Sequence, residues 1–292
     1  MYGICDRRKE MIDLHTHTTM SDGTDTPAQL INKALASGIK VLALTDHDSI
    51  AGWDEASMHL RPGMDLVLGA EISCQTEDGI SVHMLGLLFD RNHQELQDVL
   101  AKTRDNRFGR MERIITRMND AGIEISMEEV LAQLSDGGTL GRPHLADALV
   151  AKGLAKSRDE IFEKWLHNNS PYYVAHYSPT PERAITLIKA AGGVSVIAHP
   201  MASLRGRTVS QESFKSYVDA GLDGIEVFHR DHTAEQRKLL KDIADELGVL
   251  RTGSSDYHGT GKINELAENT TEPDQWSALE ARANARRVVR IS

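Results

Sequence analysis

Short runs of apolar and β-branched residues recur along the chain, near Met11–His15, Val41–Asp46, Asp65–Ile72, Ser81–Leu88, Val194–Ala198, Gly224–Phe228 and Val249–Gly253. Most are nearly continuous in apolar character, as in strands covered on both faces. Amphipathic stretches with helix start and stop signals lie between them. Thr26-Pro27 opens one that Ser37-Gly38 closes; Thr180-Pro181 to Ala191-Gly192 and Thr233 to Leu247-Gly248 are two more. In each, a capping side chain begins the helix and a glycine ends it. This alternation predicts an α/β fold with a parallel sheet or barrel.

The middle of the chain differs. Asn92–Ala121, Ser126–Leu134, Pro143–Lys152 and Ser157–Leu166 read as helices, with no strand among them. We read residues 91–177 as a helical insertion between the fourth and fifth strands. It would form a lid or substrate wall for a barrel built from residues 1–90 and 178–292. The tail from Gly261 onward predicts a helix near Asp274–Ala283 and a short terminal strand, without a functional signal.

Composition narrows the classes. The 292 residues are 40% hydrophobic and 26% charged, which excludes a disordered or fibrous chain. Two cysteines, Cys5 and Cys74, exclude a disulfide framework and any multi-cysteine metal cluster, and fit a reducing compartment. Cys74 ends an apolar run and reads as a small buried hydrophobe. The first ten residues contain no signal-like apolar segment, and runs such as Met84–Phe89 are too short to span a bilayer. The expectation is a soluble, cytoplasmic protein with no membrane partner. A net charge of −10 argues against binding long double-stranded nucleic acid. A nucleophile elbow, a P-loop and a dinucleotide fingerprint are all missing from the sequence.

The 13 histidines carry the chemical signal. His15 and His17 follow the first strand, Asp46 and His47 end the second, and Glu71 ends the third. His83 lies on the fourth, His199 ends the fifth, and Asp256 and His258 follow the seventh. The C-terminal strand ends are where β/α barrels build active sites. On an extended segment His15-x-His17 points both rings to one side, and Asp256-x-His258 repeats this with a carboxylate. Asp22, in the turn after strand one, has a short side chain that reaches back. Nitrogen and oxygen donors without thiolate suit Zn, Mn or Fe. Six histidines and three acids exceed the needs of one ion and suggest two or three divalent ions sharing a bridging carboxylate, Glu71. Three such ions with three carboxylates leave about +3, which attracts a phosphate and lowers the pKa of bound water toward ~7.

These strings resemble the polymerase and histidinol phosphatase (PHP) superfamily: Asp13-Leu-His-Thr-His17 with Ser21-Asp22-Gly23, Thr45-Asp-His-Asp48, Glu71, His83, Ala198-His-Pro200 and Ser255-Asp-Tyr-His258. The resemblance covers nearly the whole chain and implies a distorted (β/α)7 TIM-like barrel. It implies that His15, His17, Glu71 and Asp256 hold one ion, that Asp22, His47 and His258 hold a second, and that Glu71, His83 and His199 hold a third. Gly141-Arg-Pro-His144 resembles the stand-alone phosphoesterases that act on 3′,5′-nucleotide bisphosphates. Pro143 suits a first helical turn, Arg142 can fork onto a phosphate, and His144 can add a donor. The implied reaction is hydrolysis of a phosphate monoester by water held at Glu71 and the ions, with His229 a candidate to line the site. Related alternatives are a 5′-to-3′ exoribonuclease on short RNA and a histidinol phosphate phosphatase. A non-catalytic accessory module is the reading from another class, and the complete ligand set argues against it.

Several features read as structural. Isolated histidines are ordinarily so, which covers His59, His93, His167, His176 and His232. Asp46 and Asp48 read as a strand end and a cap, or as carboxylates that orient His47. Arg110, Arg113 and Arg117 share a helix face that reads as solvated, with an RNA-tracking stripe as the alternative. Arg205 and Arg207 follow His199-Pro200, and nothing beyond that position supports a phosphate role for them.

Overall fold

The computed structural model describes residues 10–168, 170–175, 177–203 and 206–291; Cys5, His176 and Arg205 lie outside these. The strands are β1 (Ile12–Asp13), β2 (Val41–Leu44), β3 (Asp65–Gln75), β4 (Ser81–Leu87), β5 (Val194–Ala198), β6 (Gly224–Phe228) and β7 (Leu250–Gly253). They pair in chain order into one seven-stranded sheet. Alternate residues explain the nearly continuous apolar character. Val41 and Ala43 face an inner cluster with Val67, Leu85 and Val196. Leu42 and Leu44 face an outer cluster shared with the surrounding helices.

Those helices are α1 (Pro27–Ala36), α2 (Trp53–His59), α7 (Pro181–Ala190), α8 (Gln211–Ala220) and α9 (Ala234–Leu247), with α10 (Pro273–Arg282) in the tail. Thr26 and Thr233 cap α1 and α9 as expected, and each forms a full capping box, with Gln29 and with Gln236. Two further helices, α2 and α8, carry no such start signal: neither has a capping side-chain bond. The terminal strand reduces to one bridge, Leu66 to Val289.

The sheet curls until its edges meet. Thr16 bridges Tyr257 in parallel, and Thr271 N donates to Ile12 O at 2.9 Å. The Asp13 carboxylate accepts from Ser255 N at 3.0 Å and Ala267 N at 2.9 Å. The architecture is the expected barrel-like α/β fold, with one departure from an all-parallel sheet. β4 runs antiparallel to both β3 and β5. Only a tight turn, closed by Thr76 N to Ile80 O at 2.9 Å, joins β3 to β4, and a connection that short returns the chain antiparallel.

Between β4 and α7 lie α3 (Gln94–Asp120), α4 (Met127–Leu131), α5 (Arg142–Ala151) and α6 (Arg158–Ile161), which runs into a π-helical turn, Phe162–Leu166. They bury their own apolar cluster around Met111, Ile114, Met118, Leu145 and Leu149. The start of α3, through Leu96 and Leu100, packs instead on the barrel core. Polar ties hold this layer over the strand ends. Arg104 Nη1 donates to Asp48 O at 2.6 Å, Thr139 N to Met20 O at 3.0 Å, and Arg158 Nη1 to Asp22 O at 3.0 Å.

Candidate metal centre and substrate cavity

All nine predicted metal ligands come together: seven lie in the loops just beyond strand ends, while His83 lies within β4 and Glu71, expected to end the third strand, lies within β3, which runs on to Gln75. The backbone is forced where they cluster. His199 (φ 31°) and Asp256 (φ 53°) occupy the left-handed region that non-glycine residues avoid. Gly23 has no room for a side chain, because a Cβ would lie 2.6 Å from the His17 carbonyl oxygen.

At the centre His15 Nε2 and His17 Nε2 are 3.1 Å apart. Glu71 Oε2 lies 3.3 and 3.1 Å from these two nitrogens, and Asp256 Oδ1 lies 3.5 and 3.4 Å away. Such separations match four donors about 2.0–2.2 Å from one tetrahedral centre. A second group comprises His17, Asp22, His47 and His258, and a third comprises His47, Glu71 and His83. His199 Nε2 joins through Glu71 Oε1 at 3.1 Å, the oxygen that His83 Nδ1 also meets at 2.8 Å. Glu71 is therefore common to two groups. His17 and His47 are each shared as well, which the implied ligand sets did not include.

The donor set fits divalent ions. Among the described residues, Asp22 Oδ1, His47 Nδ1, Glu71 Oε2 and His258 Nε2 are buried without a hydrogen bond. Leaving such atoms unsatisfied is costly, and a shared cation relieves that cost. Electrostatics agree. Burial opposes charge on His15, yet Glu71, Glu226 and Asp256 prevail and hold its pKa well above the usual value. At His17 burial is likewise outweighed, by Asp256 and Glu71, and the pKa rises to about 9. Burial wins at His47, which falls well below its usual value. It also wins at His258, where Lys262 and His17 help to lower the pKa to about 4. Burial opposes ionisation of Glu71, but His47, His83 and His15 keep it well below the carboxylate range.

Supporting residues fix these rings. Asp46 accepts from Thr18 N at 2.8 Å and Ser21 Oγ at 2.7 Å, and Ser21 Oγ meets His17 Nδ1 at 3.2 Å. Asp46 thus orients His17 through Ser21. Glu226, fully buried, meets His15 Nδ1 at 3.2 Å and accepts from His199 N at 2.7 Å. Its signal in the sequence was a carboxylate inside an otherwise apolar strand, which was not used. His229 is fully buried, with Nε2 3.5 Å from Asp256 Oδ2, so it sits behind a ligand position rather than facing the cavity. Lys262, in the tail that carried no signal, reaches the same Asp256 oxygen at 2.9 Å.

A cavity of about 870 Å³ opens over the cluster, with Asp22, His47, His83 and His199 in its lining. Arg107, Arg110 and Arg142 line it from the helical layer. Arg107 is paired with Asp48 at 2.6 Å. Among the described residues Arg110 and Arg142 have no carboxylate within ion-pair distance. Arg110 Nε donates to Val174 O at 2.7 Å, and Arg142 Nη1 donates to Leu166 O at 2.7 Å and Asn168 Oδ1 at 2.9 Å. Burial and neighbouring arginines push Arg110 down to about 9; burial, with Arg107, lowers Arg142 to about 10.

Two sequence expectations change here. The arginine stripe is not uniformly solvated: Arg110 is buried, while Arg113 and Arg117 are exposed and bond the carbonyls of Ala175, Pro171 and Tyr173. Periodicity placed the three on one face without showing what covers its upper turn. His144 is not among the cavity-lining residues. Its Nδ1 accepts from Gly141 N at 3.1 Å, so the ring caps α5. Asp48 anchors Arg107, and Arg207 at the rim reaches Asp78 at 3.4 Å. His59 and His232 are spent on backbone groups, His93 caps α3, and His167 is exposed at the cavity edge. Cys74 is buried, as read.

A family model described as PHP domain matches residues 13–174. A 5′-3′ exoribonuclease from Haemophilus influenzae is 36% identical over 88% of this chain and 93% of its own. A 3′,5′-nucleoside bisphosphate phosphatase from Chromobacterium violaceum is 32% identical over 93% of this chain and 97% of its own. A solved structure from Bifidobacterium adolescentis, provisionally described as a metal-dependent phosphoesterase, superposes with a TM-score of 0.89 at 39% identity, covering 94% and 97% of the two chains. With the fold, the histidine–carboxylate cluster and these likenesses in agreement, the chain belongs to the PHP domain family and is a metal-dependent phosphoesterase, a hydrolase.

Proposed function

We propose that the protein removes the 3′-phosphate from a nucleotide that also carries a 5′-phosphate, leaving the 5′-nucleotide and inorganic phosphate. The observation that carries this is a single cavity shared by the histidine–carboxylate cluster, the buried Arg110 and the half-buried Arg107 and Arg142. Two guanidiniums without carboxylate partners are a ready site for a dianion. The three metal groups suit two or three divalent ions, Mn, Zn or Fe, with His199 completing the third. Bound there, the ions supply an activated water and polarise the scissile phosphate. Arg142 and Arg110 grip the distal phosphate and fix the ester between the two ends. Glu226 and Asp46 keep His15 and His17 in place. The helices between β4 and α7 act as the substrate wall, residues 91–177 being the inserted unit. A cytoplasmic setting belongs to this reading, and the buried thiol of Cys74 is compatible with it.

A second reading is 5′-to-3′ trimming of short RNA. It is favoured by Arg207 and Arg230, exposed cavity-lining residues past which a chain can leave. The arginine pocket would then hold the 5′-phosphate, and the next phosphodiester would meet the cluster.

The test is phosphate release from adenosine 3′,5′-bisphosphate by the metal-loaded protein, beside a short 5′-phosphorylated RNA, with His47→Ala as the blank. Release from the bisphosphate, lost in the variant, is the expected result. Mononucleotides from RNA without release from the bisphosphate would replace the first reading by the second. Turnover that survives in His47→Ala would refute the metal-centred site.

A further inference from the structure

Ile263 is 70% exposed, equal to Met58 and above the other exposed large apolar residues described. Unlike Met58, it lines the cavity. A lone exposed apolar side chain is ordinary on a protein surface. Ile263 differs because the loop that carries it is held at three successive residues. Arg230 Nη2 donates to its carbonyl at 3.3 Å and is itself clamped by Glu268 at 2.6 Å. The preceding Lys262 reaches Asp256 at 2.9 Å, and the following Asn264 donates to Ser255 O at 2.7 Å. The loop is thus pinned to the segment that carries Asp256 and His258, and it holds an apolar side chain at the cavity mouth.

The helical layer reaches the same cavity mouth. α6 abuts this loop, since a side chain at Gly261 would collide with the Arg158 guanidinium. Phe162 follows α6 directly, is partly exposed and lines the same cavity. Its ring centroid lies 5.7 Å from the Arg142 guanidinium carbon, so it borders the arginine pocket. It also begins the π-helical turn, a distortion that recurs at functional sites.

We propose that Ile263 and Phe162 are the two lips of a slot that takes the nucleobase of the substrate. The proposal rests on the nucleotide reading above and assigns the part of the ligand that neither phosphate site explains. A base has apolar faces to present to such lips, whereas a sugar phosphate has nothing to place there.

The experiment is calorimetric titration of adenosine 5′-monophosphate and of ribose 5-phosphate into metal-loaded wild type, Ile263→Ala and Ile263→Leu. Because Ile263 is largely exposed, neither replacement threatens the fold. The wild type is expected to prefer the nucleotide by about 5- to 150-fold, the range that base stacking supplies. Ile263→Ala should weaken nucleotide binding about 3- to 10-fold and leave ribose 5-phosphate unchanged, with Ile263→Leu restoring it. Equal wild-type affinity for both ligands, or an Ile263→Ala effect that is absent or equal for both, overturns the slot. Phosphate release from adenosine 3′,5′-bisphosphate, measured in parallel, separates the two readings. Base-dependent binding without release removes the proposed reaction and keeps the slot; release with base-independent binding removes the slot alone.

Discussion

Replacing Arg110 with methionine is expected to stabilise the protein and impair its reaction. Arg110 is 8% exposed and is pushed well below its ordinary value, to about 9, by burial and by Arg142 and Arg107. At ~1.4 kcal/mol per tenfold, that fall corresponds to about 5 kcal/mol spent on keeping the charge buried. Its pKa is depressed in the folded state, so the penalty is fully present at neutral pH. It is relieved only as pH rises through about 9. Methionine removes the charge at comparable volume. It also removes the bond to Val174 O and the contact with the Tyr173 ring, whose loss costs about 2–4 kcal/mol. The net gain is about 1–3 kcal/mol, and each kcal/mol raises Tm by about 2–4 °C in a chain of this size. The catalytic cost runs the other way. A charge-assisted bond to phosphate contributes about 1.5–3 kcal/mol, so kcat/KM for the bisphosphate should fall roughly 10- to 150-fold. Thermal unfolding in phosphate-free buffer and phosphate release measure the two effects. A variant that melts below wild type and hydrolyses the bisphosphate as before would refute the reasoning.

Other consequences can be checked separately. Glu226→Gln should weaken metal binding about 10- to 100-fold, because Glu226 orients His15 and the His199 backbone; unchanged stoichiometry and affinity by metal titration would count against that role. Metal binding should release protons and tighten as pH rises from neutral to at least about 9, because His17 is held protonated up to about that pH, His15 is likewise raised well above its usual value, and an ion must displace both protons. Calorimetry in buffers of different ionisation enthalpy reads this directly, and buffer-independent heats would contradict it. Gly23→Ala should abolish binding at the group containing Asp22 and His258, since the new methyl meets the His17 carbonyl; a variant that keeps full metal content would show that the turn can yield.

Most of the nine candidate residues were legible because they lie at local positions that sequence can specify; Glu71 and His83, inside β3 and β4, stood out as polar side chains in apolar runs. A strand end, a same-side pair such as His15-x-His17 and a glycine turn after Asp22 are short-range features. The helices were legible for the same reason, through caps such as Thr26 with Gln29. The reversal of β4 had a local sign too, Asp78-Gly79 in a short turn, but its flanking apolar runs look the same in either direction. Arg110 was out of reach. A helix face gives an angle and not a neighbour, and Arg110 is buried because the segment holding Tyr173 and Val174 folds across it.

By itself, then, the sequence determined the alternation of strands and helices, the identity of the donor atoms and their placement at strand ends, all through interactions a few residues apart. Tertiary structure alone decided which donors share a centre, which arginines lose their water, and that Lys262, Ile263 and Phe162 meet at one cavity. Those outcomes depend on the closure of the sheet and on the docking of α3–α6 across the strand ends. They join residues from about a dozen to more than two hundred positions apart, where no local pattern carries the information.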